Sequence, residues 1–195
     1  CDADRGGKVM RAVMLSVQPE WCDLILRGKK NVEVRKKRPI TLGPPFKVYI
    51  YCTAGKSGRI LEMPNHKFMQ MNERIVGTFI CNDITRLTHI GTTPRKLYAV
   101  GSGFRYEPAD ELLKNACLTR AEAESYLKEG DGFGWHISEL KIFDPPVKMK
   151  NFWGLKPCFH SQDCFSYDCY GTVDCDVPRS FSCPPIDFCY VEEKE

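Results

Sequence analysis

Residues 28–35 read Gly-Lys-Lys-Asn-Val-Glu-Val-Arg, the chain's densest set of side chains able to hold a polar ligand. A Glu33 carboxylate offers only acceptors. Lys30 offers donors from a point charge, and Arg35 offers them from a rigid planar fork. Val32 and Val34 alternate with Glu33 and Arg35, the period-two pattern of a half-buried strand. That spacing sends the valines into a core and puts Glu33 and Arg35 on the opposite face, with Lys30 just upstream at a turn marked by Gly28. Two arrangements fit. In one, the polar face grips a ligand by its donor and acceptor edges. In the other, Glu33 and Arg35 form a local surface pair worth about 0–1 kcal/mol. Composition alone favours the surface pair.

The cysteines form the second chemical cluster. Of eleven, Cys1, Cys22, Cys52, Cys81 and Cys117 are scattered in mostly apolar settings and read as buried free thiols. The other six fall between residues 158 and 189. Cys158, Cys164, Cys169 and Cys175 are separated by five, four and five residues, with His160, Cys183 and Cys189 nearby. Thiolates in one short stretch suit a tetrahedral zinc ion, with Cys183 or His160 able to replace one ligand. Disulfides or free thiols are the other options. Few aliphatic residues lie between Cys158 and Cys183, so the stretch cannot build its own core and needs a metal or covalent tie to become ordered. Four protein ligands leave no open position, which makes the zinc role structural.

The 195 residues are 43% hydrophobic, enough for one domain with a real core. Net charge is only +3, yet Lys29, Lys30, Arg35, Lys36, Lys37 and Arg38 put six cations into ten residues. A patch of that kind concentrates phosphates, although a solvated charged turn has the same composition. No apolar run approaches the roughly 18 residues that a membrane span needs. No signal-peptide core is visible in residues 1–7, which read as a leader or cloning remnant. A reducing cytoplasm is therefore the expected compartment.

The elements that must position these residues follow from periodicity. Arg11 to Val17 reads as a buried strand. Pro19 opens a helix from Glu20 to Arg27, and Gly28 stops it. Phe46 to Thr53 reads as a strand with Phe46, Val48 and Ile50 on one face and Lys47, Tyr49 and Tyr51 on a polar one. Residues 55–72 read as irregular, 74–87 as a strand, and 88–107 as a long loop. Helices are expected near Asp110 to Asn115 and from Thr119 to Lys128, the second opened by a Thr119–Glu122 capping box. Trp135 to Phe143 reads as a strand ended by Pro145 and Pro146, and Phe188 to Glu192 as the last strand. This order predicts an α+β fold: a small, curved, mostly antiparallel sheet or open barrel with short helices packed on it.

Gly28, Lys30, Glu33 and Arg35 fill the Gly-x-Lys-x-x-Glu-x-Arg signature of the ASCH domain family, and the chain resembles that family in several further blocks. Met14-Leu-Ser-Val-Gln-Pro-Glu-Trp, Glu33-Val-Arg-Lys-Lys-Arg-Pro, Val48-Tyr-Ile-Tyr-Cys-Thr, Gly132-Phe-Gly-Trp-His-Ile-Ser-Glu-Leu-Lys-Ile and Cys189-Tyr-Val-Glu-Glu are similar to a branch found in phages, prophages and their bacterial hosts. The resemblance implies a PUA-like β-barrel over residues 8–195, with the cysteine-rich segment 156–187 inserted before the last strand. It also implies a cleft, lined by the octet, that faces RNA or a nucleoside.

In such a cleft Glu33 would accept an exocyclic amine, Lys30 and Arg35 would hold phosphate or a base oxygen, and Tyr51 and Trp135 would stack a base. Tyr49 shares the polar side of its strand with Tyr51. Core packing is the competing role for each aromatic, and for Trp135 the favoured one. His136, its neighbour, reads as a buried structural histidine. The alternative is a hydrolase of the same fold. One branch of the family hydrolyses N4-acetylcytidine with a Lys matching Lys30 and a Thr where this chain has Glu33, and other members resemble ribonucleases. Without that hydroxyl, Lys30 and Glu33 remain the catalytic candidates, Glu33 as a general base for water. If the zinc assignment holds, elemental analysis of the purified protein will find zinc near one ion per chain. Cys158→Ser with Cys164→Ser will remove it. A metal-free protein would leave the disulfide and free-thiol options.

Overall fold

The structure, a computed structural model, describes residues 12–55, 60–62, 68–92, 95–101, 104–155, 179–180, 185 and 187–193. Strand β1 (Ala12–Val17) is buried along its whole length. It pairs in parallel with β3 (Phe46–Cys52), Val13 opposite Val48 and Val17 opposite Cys52, and antiparallel with β12 (Phe188–Glu193). A strand in a parallel pair, covered on both faces, wants a continuous apolar run. Ala-Val-Met-Leu-Ser-Val supplies one. Between β1 and β3 lie helix α1 (Pro19–Leu26) and the short strand β2 (Val32–Arg35).

Two long strands carry the curvature. β6 (Arg74–Ile90) and β9 (Gly132–Val147) run antiparallel with three register shifts, between Ile75 and Gly77, Thr78 and Ile80, and Cys81 and Ile84. Each shift bends and twists the ribbon. β6 pairs with β3 through its first half and with β7 (Lys96–Val100) through its second, while β9 offers residues 133–136 to β2. The hairpin β4 (Ile60–Glu62) and β5 (Phe68–Gln70) forms a separate two-stranded sheet. β8 (Tyr106–Pro108) pairs with β7. Helices α2 (Asp110–Asn115) and α3 (Arg120–Leu127) precede β9, and β10 (Phe152–Leu155) with β11 (Arg179–Ser180) completes the main sheet.

The architecture is thus the expected α+β one, mostly antiparallel with a few helices. The sheet is not closed: among the described residues its path ends at β11 and β8, and β2 is attached only to β9. Where the sequence predicted irregular chain, 55–72 contains a hairpin and 88–107 contains the end of β6 together with β7 and β8. β9 also continues through Pro145 and Pro146 instead of stopping before them. Thr119 caps α3 in the predicted capping box, its side chain accepting from the Glu122 amide.

Three apolar clusters hold the elements. The largest packs α1 (Cys22, Ile25, Leu26) on β1, β3, β6 and Trp135. A second gathers Val32 and Val34 of β2 with Leu87, Leu97, Leu112, Leu113 and Leu127. The third covers the other face of β1 and β3, where Tyr49 and Tyr51 pack with Met14, Ile75, Phe152 and Val191. The expected polar face of β3 is therefore a core face. Cys22, Cys52 and Cys81 are buried free thiols. Burial pushes Cys22 well above the ordinary thiol range and Cys81 up to about 12, so both stay protonated and unreactive. Cys158, Cys164, Cys169 and Cys175 lie outside the described residues, as do His160 and Cys183.

Gly77 sits at the first register shift, where a Cβ would press into the Lys141 carbonyl oxygen, with Ile142 Cα only 3.3 Å away. Both obstacles are backbone and cannot rotate aside. Gly77→Ala is accordingly expected to destabilise the protein by about 1–3 kcal/mol. The check is a lower urea midpoint at an unchanged slope.

Candidate functional site

Helix α1 aims the octet. Its C-cap is Arg27, and Gly28 follows at φ +66°, the left-handed turn that reverses the chain at little steric cost for glycine. The amides of Lys29 and Lys30 both donate to the Leu24 carbonyl, which closes the helix end. The Asn31 amide then donates to Asn115 O, and Ile137 donates to Asn31 O, so β2 starts tied to α2 on one side and β9 on the other.

Lys30, Glu33 and Arg35 converge as the spacing predicts. Lys30 Nζ lies 3.3 Å from Glu33 Oε2, and Arg35 Nε lies 3.0 Å from Glu33 Oε1. The expected exposed face is instead largely buried: the Lys30, Glu33 and Arg35 side chains are 2%, 7% and 11% exposed. Each cation also has a second task. Lys30 Nζ donates to Ala116 O at 2.6 Å, satisfying a carbonyl at the end of α2, and sits 4.9 Å from the Trp21 ring centre. Arg35 Nη1 donates to Asp187 Oδ1 at 3.1 Å, and Nη2 donates to Ser16 O. Since β2 has no backbone partner on that side among the described residues, the Arg35 fork bridges β2 to the end of β1 and the start of β12.

These three side chains line one side of a cleft of about 440 Å³, within the roughly 300–1,000 Å³ typical of small-molecule sites. The rest of its wall includes Ser16, Gln18, Trp21, Thr53, Glu122 and Tyr126. Ser16 and Thr53 flank the carboxyl ends of the parallel strands β1 and β3. Glu122 is engaged by Thr119, whose side-chain hydroxyl and backbone amide donate to it and hold its carboxyl below the usual range. Tyr126 is 41% exposed. Burial pushes its phenol up, against the opposing pull of Arg35, so the hydroxyl remains a neutral donor and acceptor.

Two predicted site residues do not reach this cleft. Tyr51 is 4% exposed and belongs to the apolar cluster on the far face of β3. Trp135 is fully buried, its ring edge-on to Phe46 and Phe188 at 5.7 and 5.4 Å. Trp135 pairs directly with Glu33 across β2 and β9 and shares its face of the sheet, but it is covered by the apolar cluster there and offers no open face to a base. The aromatic places are taken by Trp21 and Tyr126, which the sequence reading had not singled out. Trp21 was legible only as the last residue of the family-like block that begins at Met14. Tyr126 had no local signal, because only the docking of α3 brings it near the octet. His136 shares its Nε2 with the Thr85 hydroxyl at 2.8 Å, a structural contact.

Glu33 is the counter-ion for two buried cations, whereas Asp23 pairs with the far more exposed Arg27. Removing one member of a buried ion network leaves the others desolvated and unpaired. Glu33→Ala is therefore expected to lower stability by about 3–5 kcal/mol. Asp23→Ala should lower it by less than about 1 kcal/mol. Parallel urea melts compare them, and equal losses would show that the octet charges are solvated.

The family model that matches this chain is the ASCH domain, over residues 15–111, which run from β1 to the start of α2 and contain the whole octet. No curated protein sequence matches. Among solved structures the chain is similar to the ASCH protein from Zymomonas mobilis, at 15% identity over 71% of this chain and 73% of that one, with a TM-score of 0.45. Two mutant forms of that protein align at 17% and 16% identity, covering 71% and 72% of this chain and 76% and 75% of theirs, with TM-scores of 0.43 and 0.45. By the domain match across the octet and its flanking strands, the chain belongs to the ASCH domain family, with its PUA-like fold.

Proposed function

We propose that this protein binds RNA or a modified nucleoside, with a nucleobase held in the cleft by Lys30, Glu33 and Arg35. RNA binding is a general expectation for an ASCH domain, and the observation that carries the reading is the Glu33 carboxylate set between two cations in the wall of an open cleft. A base edge presents donors and acceptors side by side. Glu33 would accept from an exocyclic amine, the Arg35 fork would donate to a ring nitrogen or carbonyl, and Tyr126 would supply an aromatic face. Among the described residues no helix is long and apolar enough to cross a membrane.

The hydrolase alternative asks Lys30 or Glu33 to act on a bound substrate. Lys30 Nζ is already bonded to Ala116 O and paired with Glu33, an arrangement that suits positioning. Binding of short single-stranded RNAs and of nucleosides is the direct test. Tyr126→Ala, at a partly exposed position, is expected to weaken binding by about 1–3 kcal/mol while leaving the thermal midpoint nearly unchanged. Folded Glu33→Gln protein should bind at least tenfold more weakly. Unchanged affinity in both variants would overturn the proposal. Product formed from N4-acetylcytidine or RNA, and lost in Lys30→Ala, would replace the binding module with an enzyme.

A further inference from the structure

A second depression of about 330 Å³ is lined by Arg38, Ile84, Arg86, Asp131 and Phe133. Strand register fixes its relation to the cleft. Arg35 pairs with Phe133 across β2 and β9, and Phe133 pairs with Arg86 across β9 and β6. Directly opposed residues of antiparallel strands project from the same face. Arg35, Phe133 and Arg86 therefore form a row on one face of the sheet, with Glu33, Trp135 and Ile84 as the row beside it. The cleft uses the β2 end of these rows, and the notch uses the β9 and β6 end. Two strand spacings of about 4.8 Å separate them, roughly 10 Å.

The notch repeats the chemistry of the cleft in a more open setting. The Arg38 guanidinium lies 5.7 Å from the Phe133 ring centre, a planar cation above an aromatic face. Such faces stack bases of any sequence. Arg86 directs Nε and Nη2 at one oxygen of Asp131, at 3.1 and 2.6 Å. That pair sets carboxylate acceptors beside guanidinium donors, and Asp131 disfavours a bare phosphate at the same spot. Lys36 lies 4.9 Å from the Tyr126 ring and, with exposed Lys37, adds positive charge to the chain that joins β2 to Arg38. A base-sized notch, a basic segment and a base-sized cleft on one sheet face fit a strand of nucleotides better than a free nucleoside.

We infer that the Arg38–Phe133–Arg86–Asp131 notch is a second base subsite, so that the ligand is a single-stranded oligonucleotide spanning cleft and notch. This rests on the nucleobase reading of the cleft. The test compares a labelled random-sequence RNA hexamer with the four nucleoside 5′-monophosphates. Wild-type protein is expected to bind the hexamer at least tenfold more tightly than the best monophosphate. Arg38→Ala with Arg86→Ala should remove most of that gain while monophosphate affinity stays put. A control variant, Lys141→Ala in β9 with Lys148→Ala just past its end, removes the same charge away from the notch and should change neither. If the notch variant and the control weaken the hexamer equally, general charge explains the gain and the subsite is overturned. Loss of hexamer binding only in Glu33→Gln and Tyr126→Ala would keep the cleft and overturn the notch. Loss only in the notch variant would overturn the cleft reading, and the two-site ligand with it.

Discussion

Glu33 lies between Lys30 at 3.3 Å and Arg35 at 3.0 Å, and each cation reaches on to a different part of the chain. Lys30 fastens the end of α2 through Ala116 O. Arg35 joins β2 to Ser16 and Asp187, across a gap that no backbone ladder spans among the described residues. Taking three charges largely out of water is expensive, and the arrangement holds only because carboxylates and carbonyls meet the donors. Glu33 is thus the shared counter-ion of a cross-brace between the helices, the edge strand and the start of β12. The octet is structural first, and its place on the cleft wall follows from that bracing.

The rest of the architecture serves this geometry. β2 has only four residues and, among the described residues, one hydrogen-bonded neighbour, too little to fix a ligand-holding face alone. Val32 and Val34 anchor it from behind in the cluster shared with α2 and α3, and Trp135 packs beside Glu33 from β9. With apolar packing behind and ion pairs in front, the strand is held from both sides. The Gly28 turn sets the starting direction, and the shifted β6–β9 ribbon curves far enough to bring β2 near β1 while leaving the sheet open.

Much of this was legible in the residues. The strand alternation of Val32 to Arg35, the stop at Gly28 and the Thr119–Glu122 box are local signals with local causes, and the structure contains each of them. Tyr51 and Trp135 were misplaced for one common reason. Alternation tells which residues share a face, not whether a second layer covers it. β3 has the helix-side cluster on one face and Phe152 with Val191 on the other, so its tyrosines became core. The same limit hid the burial of Glu33 and Arg35. β7 and β8 were read as loop because five and three residues carry too little periodicity. Prolines do not stop β9 because Val147 still finds Ile75 beyond a register shift. Tyr126 enters the cleft through tertiary docking alone, which no spacing encodes.

The double duty of the octet also constrains which ligand chemistry suits the cleft. A bare phosphate approaching Arg35 would compete with Glu33 and Asp187 for one guanidinium and bring a third anion among them. In a poorly solvated wall that repulsion is weakly screened. A base edge has no such conflict. It gives an amine hydrogen to Glu33 while accepting one from Arg35, so both partners gain a hydrogen bond to an uncharged group and keep their ion pair. The brace need not open for the guest to enter. On the proposed reading, the charges that close the seam of the sheet are themselves a reason to expect recognition by base edges in the cleft, with phosphates left to the exposed cations at Lys36 and Lys37.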